Sequence, residues 1–221
     1  MTVLLVLLTL IMFLVADHFV QKSRERAAQL ATRPGYGSLE FLLPPNVALA
    51  TNHTWMKNES KGITTVGLDE FLGRLVGAVE DIILPQVGSS LSPATATINL
   101  KDGKKSLALA SPVRGRVVAI NDNVLKNPAL AKIDPYGTGW LMKIQPESHE
   151  EKQRAFSGTQ AMEWLRKQTE LAKEFLTVRA PQTALVTMQD GGIPVDGLLK
   201  KYDVRVWEEF QQSFVTLRQN H

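Results

Sequence analysis

The sequence has no cysteine. Disulfides, thiolate metal ligands and thiol nucleophiles are excluded, and a reducing compartment fits the composition. Its four histidines, His18, His53, His149 and His221, are scattered without ligand spacing, so no metal site is expected. Excess charge is also scarce: 25 Lys+Arg against 22 Asp+Glu leave a formal +3. No basic stripe interleaved with aromatics is present, which argues against nucleic acid as a partner. The sequence lacks a phosphate-binding glycine loop, a Gly-x-Ser-x-Gly elbow and paired carboxylates with an obvious pocket. No catalytic residue is assigned, and the protein is not expected to be an enzyme.

What is present begins with an apolar run from Thr2 to Ala16, extended by Phe19 and Val20 and interrupted by Asp17 and His18. A membrane span needs about 20 apolar residues, so the run suffices if Asp17 and His18 reach headgroup depth. We read residues 1–21 as an anchor helix contacting the lipid bilayer. A cleaved signal peptide would want a basic segment before the run and a small-x-small site after it, and neither is found. Lys22, Arg24 and Arg26 follow the run directly, which places the C-terminal side in the cytoplasm. The expected location is a single pass through the inner (cytoplasmic) membrane. Asp17 and His18 read as interfacial residues, with a polar contact to a partner helix as the alternative.

Residues 22–50 form a juxtamembrane helix, broken at Arg33-Pro34-Gly35, and a linker. In it, Phe41 to Pro45 is expected to pack on the domain as an extended strap, with contact to the membrane surface as the alternative. From His53 the pattern turns to short strands: 53–57, 63–68, 79–84, 98–100, 107–109, 116–121 and 140–144. Asp69 caps a short helix carrying Phe71, Leu72, Leu75 and Val76. A second short helix is expected over 125–131. This predicts a small β-sandwich or flattened barrel over residues 51–147. Residues 148–221 read as a helical extension. Ser157-Gly-Thr-Gln160 resembles a capping box, and Ala161, Trp164, Leu165, Leu171, Ala172, Phe175 and Leu176 share one face. Asp203 caps a last helix bearing Trp207, Phe210, Phe214 and Leu217. These stripes either pack back on the β domain or dock another protein.

Two blocks carry a family resemblance. The first comprises His53-Thr-Trp55, Val66 to Phe71, Leu75-Val-Gly77 and Leu84 to Gly88. The second runs from Ser111 to Pro146 and includes Pro112-Val-Arg-Gly115 and Asp134-Pro-Tyr-Gly-Thr-Gly-Trp140. Together they resemble the glycine cleavage H protein. The resemblance implies a lipoyl-type β domain; with the N-terminal transmembrane helix and the C-terminal helical extension read above, the expected chain is α+β. Members of that family carry a lipoyl group on a hairpin lysine, preceded by a glutamate-serine-valine or similar run. Between the blocks the corresponding slot falls on Lys104, the lipoyl-attachment candidate. Here, however, the preceding slots hold Lys101, Asp102 and Gly103, and Lys105 follows.

Asp-Gly between short strands favours a type I′ turn, which would set Asp102 and Gly103 at the tip and leave Lys104 beside it. On that basis no cofactor is expected, although a lipoyl group on Lys104 is the alternative. The expected function is a membrane-anchored, cytoplasm-facing, non-catalytic adapter or accessory subunit. Its partners would be protein subunits of a membrane-associated complex. The alternative is a true lipoyl carrier modified on Lys104, shuttling intermediates or reducing equivalents between enzymes.

Overall fold

The computed structural model describes residues 41–147, 155–179 and 197–216, all within one unit spanning 39–221. The expected anchor at 1–21, with Asp17 and His18, lies outside them, as do most of the juxtamembrane segment and Leu217. Among the described residues no helix is long and apolar enough to cross a membrane.

The strands follow the alternation of the sequence. They are β1 (Ala48–Leu49), β2 (Thr54–Asn58), β3 (Thr64–Leu68), β4 (Asp81–Ile83), β5 (Ser90–Leu91), β6 (Ala96–Asp102), β7 (Lys105–Ala110), β8 (Gly115–Ile120), β9 (Met142–Pro146) and β10 (Phe156–Ser157). Among the described residues they make two sheets, one of order β10-β1-β2-β3-β9-β8-β5 and a smaller one of order β4-β6-β7. All pairings are antiparallel. The larger sheet takes in β1 and β10, which flank the expected 51–147 on both sides. The lipoyl-type sandwich of the sequence reading is thus present, extended by one strand at each end.

Helix α1 (Glu70–Val76) starts where the sequence places it, with the Asp69 carboxylate accepting from Leu72 N–H at 2.8 Å. The other oxygen of Asp69 lies 2.7 Å from His53 Nδ1, and both side chains are fully buried. His53 does not begin a strand as expected. Its φ is +62°, a turn conformation rare outside glycine, and its ring stacks between Phe71 and Trp164. Replacing Asp69 with alanine removes a helix cap and strands a buried imidazole. Each is worth about 1–2 kcal/mol, so the urea midpoint of Asp69→Ala should report a loss of about 3 kcal/mol.

The strap behaves as the sequence suggests. Phe41 is buried under the Arg74 guanidinium, 5.4 Å from the ring, and Leu42 N–H donates to Glu70 Oε2 at 3.0 Å. The segment read as one helix over 125–131 is instead two, α2 (Asp122–Lys126) and α3 (Leu130–Ile133). Pro128 falls between them: it has no N–H to donate and disfavours helical geometry at Asn127, whose φ/ψ are −140°/83°.

Asp134 to Trp140 is a wound turn. Asp134 Oδ2 accepts from both the N–H and the hydroxyl of Thr138, and Asp134 O accepts from the N–H groups of Gly137 and Gly139. Asn121 Nδ2 donates to the carbonyls of Thr138 and Trp140. The most specific motif of the sequence is therefore spent on backbone geometry.

Helix α4 (Gly158–Val178) is the long helix of the extension. Ser157 precedes it but makes no side-chain cap bond, contrary to the capping-box expectation. The next residue, Gly158, has φ +53°, so the chain enters the helix by a left-handed step and not by the path of an ordinary cap. Ala161, Leu165, Ala172 and Leu176 are buried as expected, joined by Thr169, whose hydroxyl donates to Leu165 O; Leu171 is exposed. Helix α5 (Val204–Phe210) is capped by Asp203, which accepts from Val206 N–H, and widens into a π-turn at Gln211–Val215. Trp207, Phe210 and Phe214 are all buried, and Phe175 meets both phenylalanines edge-on. The aromatic stripe of α5 is covered within the chain, so it is not the exposed docking face that the adapter reading called for.

The hairpin at Lys104 and its neighbours

The hairpin of β6 and β7 closes one residue later than Asp-Gly chemistry suggests. Asp102 pairs with Lys105 and Lys101 with Ser106, so the two-residue loop is Gly103-Lys104. Gly103 has φ +61°, whereas Lys104 is outside the left-handed region, and a type I′ turn needs both residues there. Glycine in first place is the other standard solution for a two-residue hairpin. The expectation that Asp102 and Gly103 form the tip is therefore corrected: Lys104 occupies it.

The cause of the shift lies outside the turn. Gly103 N–H donates to Glu80 Oε2 at 2.9 Å, and Glu80 N–H donates in turn to Lys101 O. Asp102 is drawn down into the strand by Lys200, whose Nζ sits 2.7 Å from Asp102 Oδ1. Neither partner is local, so a turn rule applied to five residues could not include them.

At the tip Lys104 is exposed, and its amine makes no hydrogen bond or ion pair with any described residue. A side chain at the preceding position would also meet open space, since nothing lies within 4 Å of where a Cβ would stand on Gly103. A lysine intended to bear a mobile arm requires this: a rigid two-strand base, a protruding amine and no partner to release. The geometry fits a lipoyl group in amide linkage to Lys104 Nζ. Lys101 is exposed as well, but it lies within β6 opposite Asp81 and Ser106 rather than at the apex.

The base of the hairpin is not bare. Lys105 is half-buried, its Nζ donating to Lys200 O at 2.5 Å and standing 5.9 Å from the Trp207 ring. The outer edge of β7 is capped by Gln211, whose Oε1 accepts from Ala108 N–H at 2.9 Å. The segment carrying Lys200 approaches the body closely. Gly197 N–H donates to Arg74 O, and a Cβ on Gly77 would lie 2.9 Å from Gly197 Cα. Sequence reasoning missed Glu80, Lys200, Trp207 and Gln211 as neighbours of the hairpin, because none is near it in sequence.

Elsewhere the titratable groups serve structure. Burial, with the nearby Asp69 charge second, pushes the Tyr136 phenol above its ordinary range; its hydroxyl accepts from Glu70 N–H and its ring packs against Trp55. Among the described residues no group of three or more His, Asp or Glu side chains could hold a metal ion.

Comparison with known proteins matches residues 47–168 to the family described as glycine cleavage H-protein. The glycine cleavage system H protein of Shewanella denitrificans is 32% identical over 109 residues, 49% of this chain and 84% of that one. Its counterpart in Neisseria meningitidis serogroup C is 33% identical over 104 residues, covering 47% and 81%. A solved glycine cleavage system H protein from Mycobacterium marinum matches at 26% identity with a TM-score of 0.45, covering 48% of this chain and 87% of that one. With a family match that spans more than half of its 221 residues, the chain belongs to the glycine cleavage H-protein family.

Proposed function

We propose that this protein is a non-catalytic lipoyl carrier, modified on Lys104 and tethered to the inner membrane by residues 1–21 with its β domain in the cytoplasm. The observation that carries the reading is the position of Lys104 at the apex of the β6–β7 hairpin, exposed and without a described partner. Proteins of this family normally carry lipoate, a disulfide-bearing acyl chain that transports intermediates or reducing equivalents between enzymes. In this chain Lys104 would hold it. Strands β6 and β7 would fix its base, and Glu80 would keep the turn from slipping through its bond to Gly103 N–H. The tether is supported by the apolar run of residues 2–16 and by Lys22, Arg24 and Arg26 after it.

A second reading, a non-catalytic adapter within a membrane complex, is favoured by the flanks of the lysine. Lys101 stands where the family places glutamate, and Asp102 is taken up by Lys200, so an enzyme that reads an acidic flank finds less of one. Mass spectrometry of the protein purified from its host's membranes separates the two. A lipoyl adduct on Lys104 is expected. An unmodified Lys104 in protein from that source removes the carrier reading and leaves the adapter.

A further inference from the structure

Three lysines crowd one turn, and an acylating enzyme must take one of them. Acylation joins the neutral Nζ to the carbonyl carbon of an activated acyl donor, an adenylate or a thioester. AMP departs from the adenylate, or the thiol from the thioester, and the nitrogen gives up a proton to water. The attacking amine must therefore be deprotonated, unencumbered and reachable. Lys104 is reachable and has no described partner. Lys105, its immediate neighbour, is half-buried and engaged: its Nζ donates to Lys200 O and stands over the Trp207 ring. Both contacts must be given up before that nitrogen can attack.

The elements responsible lie at 197–216, beyond the 47–168 matched by the family. Trp207 Nε1 donates to Leu199 O at 2.8 Å, which fixes the 3-10 turn Leu198–Lys201 and so aims the next carbonyl, that of Lys200, at Lys105. The Lys200 ammonium meanwhile holds Asp102 across the base of the turn. We infer that the segment 197–216 is an intramolecular selector, which withdraws Lys105 from acyl donors and leaves Lys104 as the acceptor at the apex. Trp207 and Lys200 are its positioning residues. The inference rests on the reading of Lys104 as the attachment point, but its test does not require the natural donor.

The full-length protein is treated with a limiting amount of N-hydroxysuccinimidyl acetate, and acetylation at Lys104 and Lys105 is followed by peptide mass spectrometry under native conditions and in concentrated urea. In the native protein Lys104 should react about tenfold faster than Lys105, the factor expected for one charge-assisted hydrogen bond. In urea the ratio should fall to about one. Trp207→Phe keeps most of the buried ring but loses the bond to Leu199 O; it should raise the Lys105 rate several-fold and leave the Lys104 rate unchanged. If that variant does not fold, the native-to-urea comparison of the wild type decides by itself. Equal native rates for the two lysines, or a ratio that survives urea, overturn the inference. A tenfold ratio alongside an unmodified Lys104 in the host instead removes the carrier reading alone.

Discussion

Replacing Lys104 with arginine should abolish lipoylation completely, while Lys101→Arg and Lys105→Arg leave it intact. Arginine keeps the charge and the length at the tip, so the hairpin is unchanged, but a guanidinium stays protonated and does not act as an acyl acceptor. The measurement is the intact mass of each variant coexpressed with a lipoate-attaching enzyme. Transfer of the adduct to Lys101 in the Lys104→Arg protein would show that the apex is not what the enzyme recognises. The same assay tests the flank. Lys101→Glu places an acidic residue three positions ahead of Lys104 at a small cross-strand cost, since Asp81 lies opposite. It should accelerate attachment several-fold if an acidic flank is read.

A large loss of stability is expected at Gly139. A Cβ there would stand 2.3 Å from Leu130 O, 2.7 Å from Asp134 O and 2.9 Å from Ala131 Cα, all backbone atoms of a turn already closed by hydrogen bonds. Nothing can move aside without unwinding α3, so Gly139→Ala should cost about 3 kcal/mol or more, at the upper end for overpacking. Gly137, two residues earlier in the same motif, is an internal control. The three atoms nearest to its Cβ would all belong to the Asp134 carboxylate, the first at 2.3 Å, and that side chain can rotate away at the expense of its bonds to Thr138. Gly137→Ala should cost about 1 kcal/mol. Denaturant titration of the pair measures the difference; equal losses would mean that Asp134 is as immobile as the backbone.

The sequence was most legible where a residue's role is settled by its near neighbours. Asp69 announces a helix start, Phe41-Leu42-Leu43 before two prolines announces a strap, and glycines between apolar strands announce a small sandwich. Each of these depends on contacts within a few residues or on a face that simply has to be covered. Legibility failed where a distant group arbitrates between two local solutions. Asp102-Gly103 and Gly103-Lys104 are both good two-residue turns, and the choice falls to Glu80 and Lys200. Ser157 has a capping-box pattern, yet the left-handed Gly158 that follows it departs from an ordinary helix entry. The aromatic stripe of α5 was visible as a stripe, but what covers it depends on how the extension returns to the body through Gly77 and Gly197. The candidate lysine was therefore named from its slot, while its position on the turn required the tertiary structure.

The contact between Lys105 and Lys200 spans 95 residues of sequence. At ~5–20 residues per second of synthesis, the hairpin leaves the ribosome roughly 5–20 s before the segment that shields it. During that interval the contact of Lys105 with Lys200 cannot yet form. Under the selection inferred above, discrimination between Lys104 and Lys105 would be a property of the finished chain and not of the nascent one. An acylating enzyme acting early would leave a mixed population, and one acting late would leave a single species. The ratio of the two adducts in cells would then record when in the protein's lifetime the hairpin was visited.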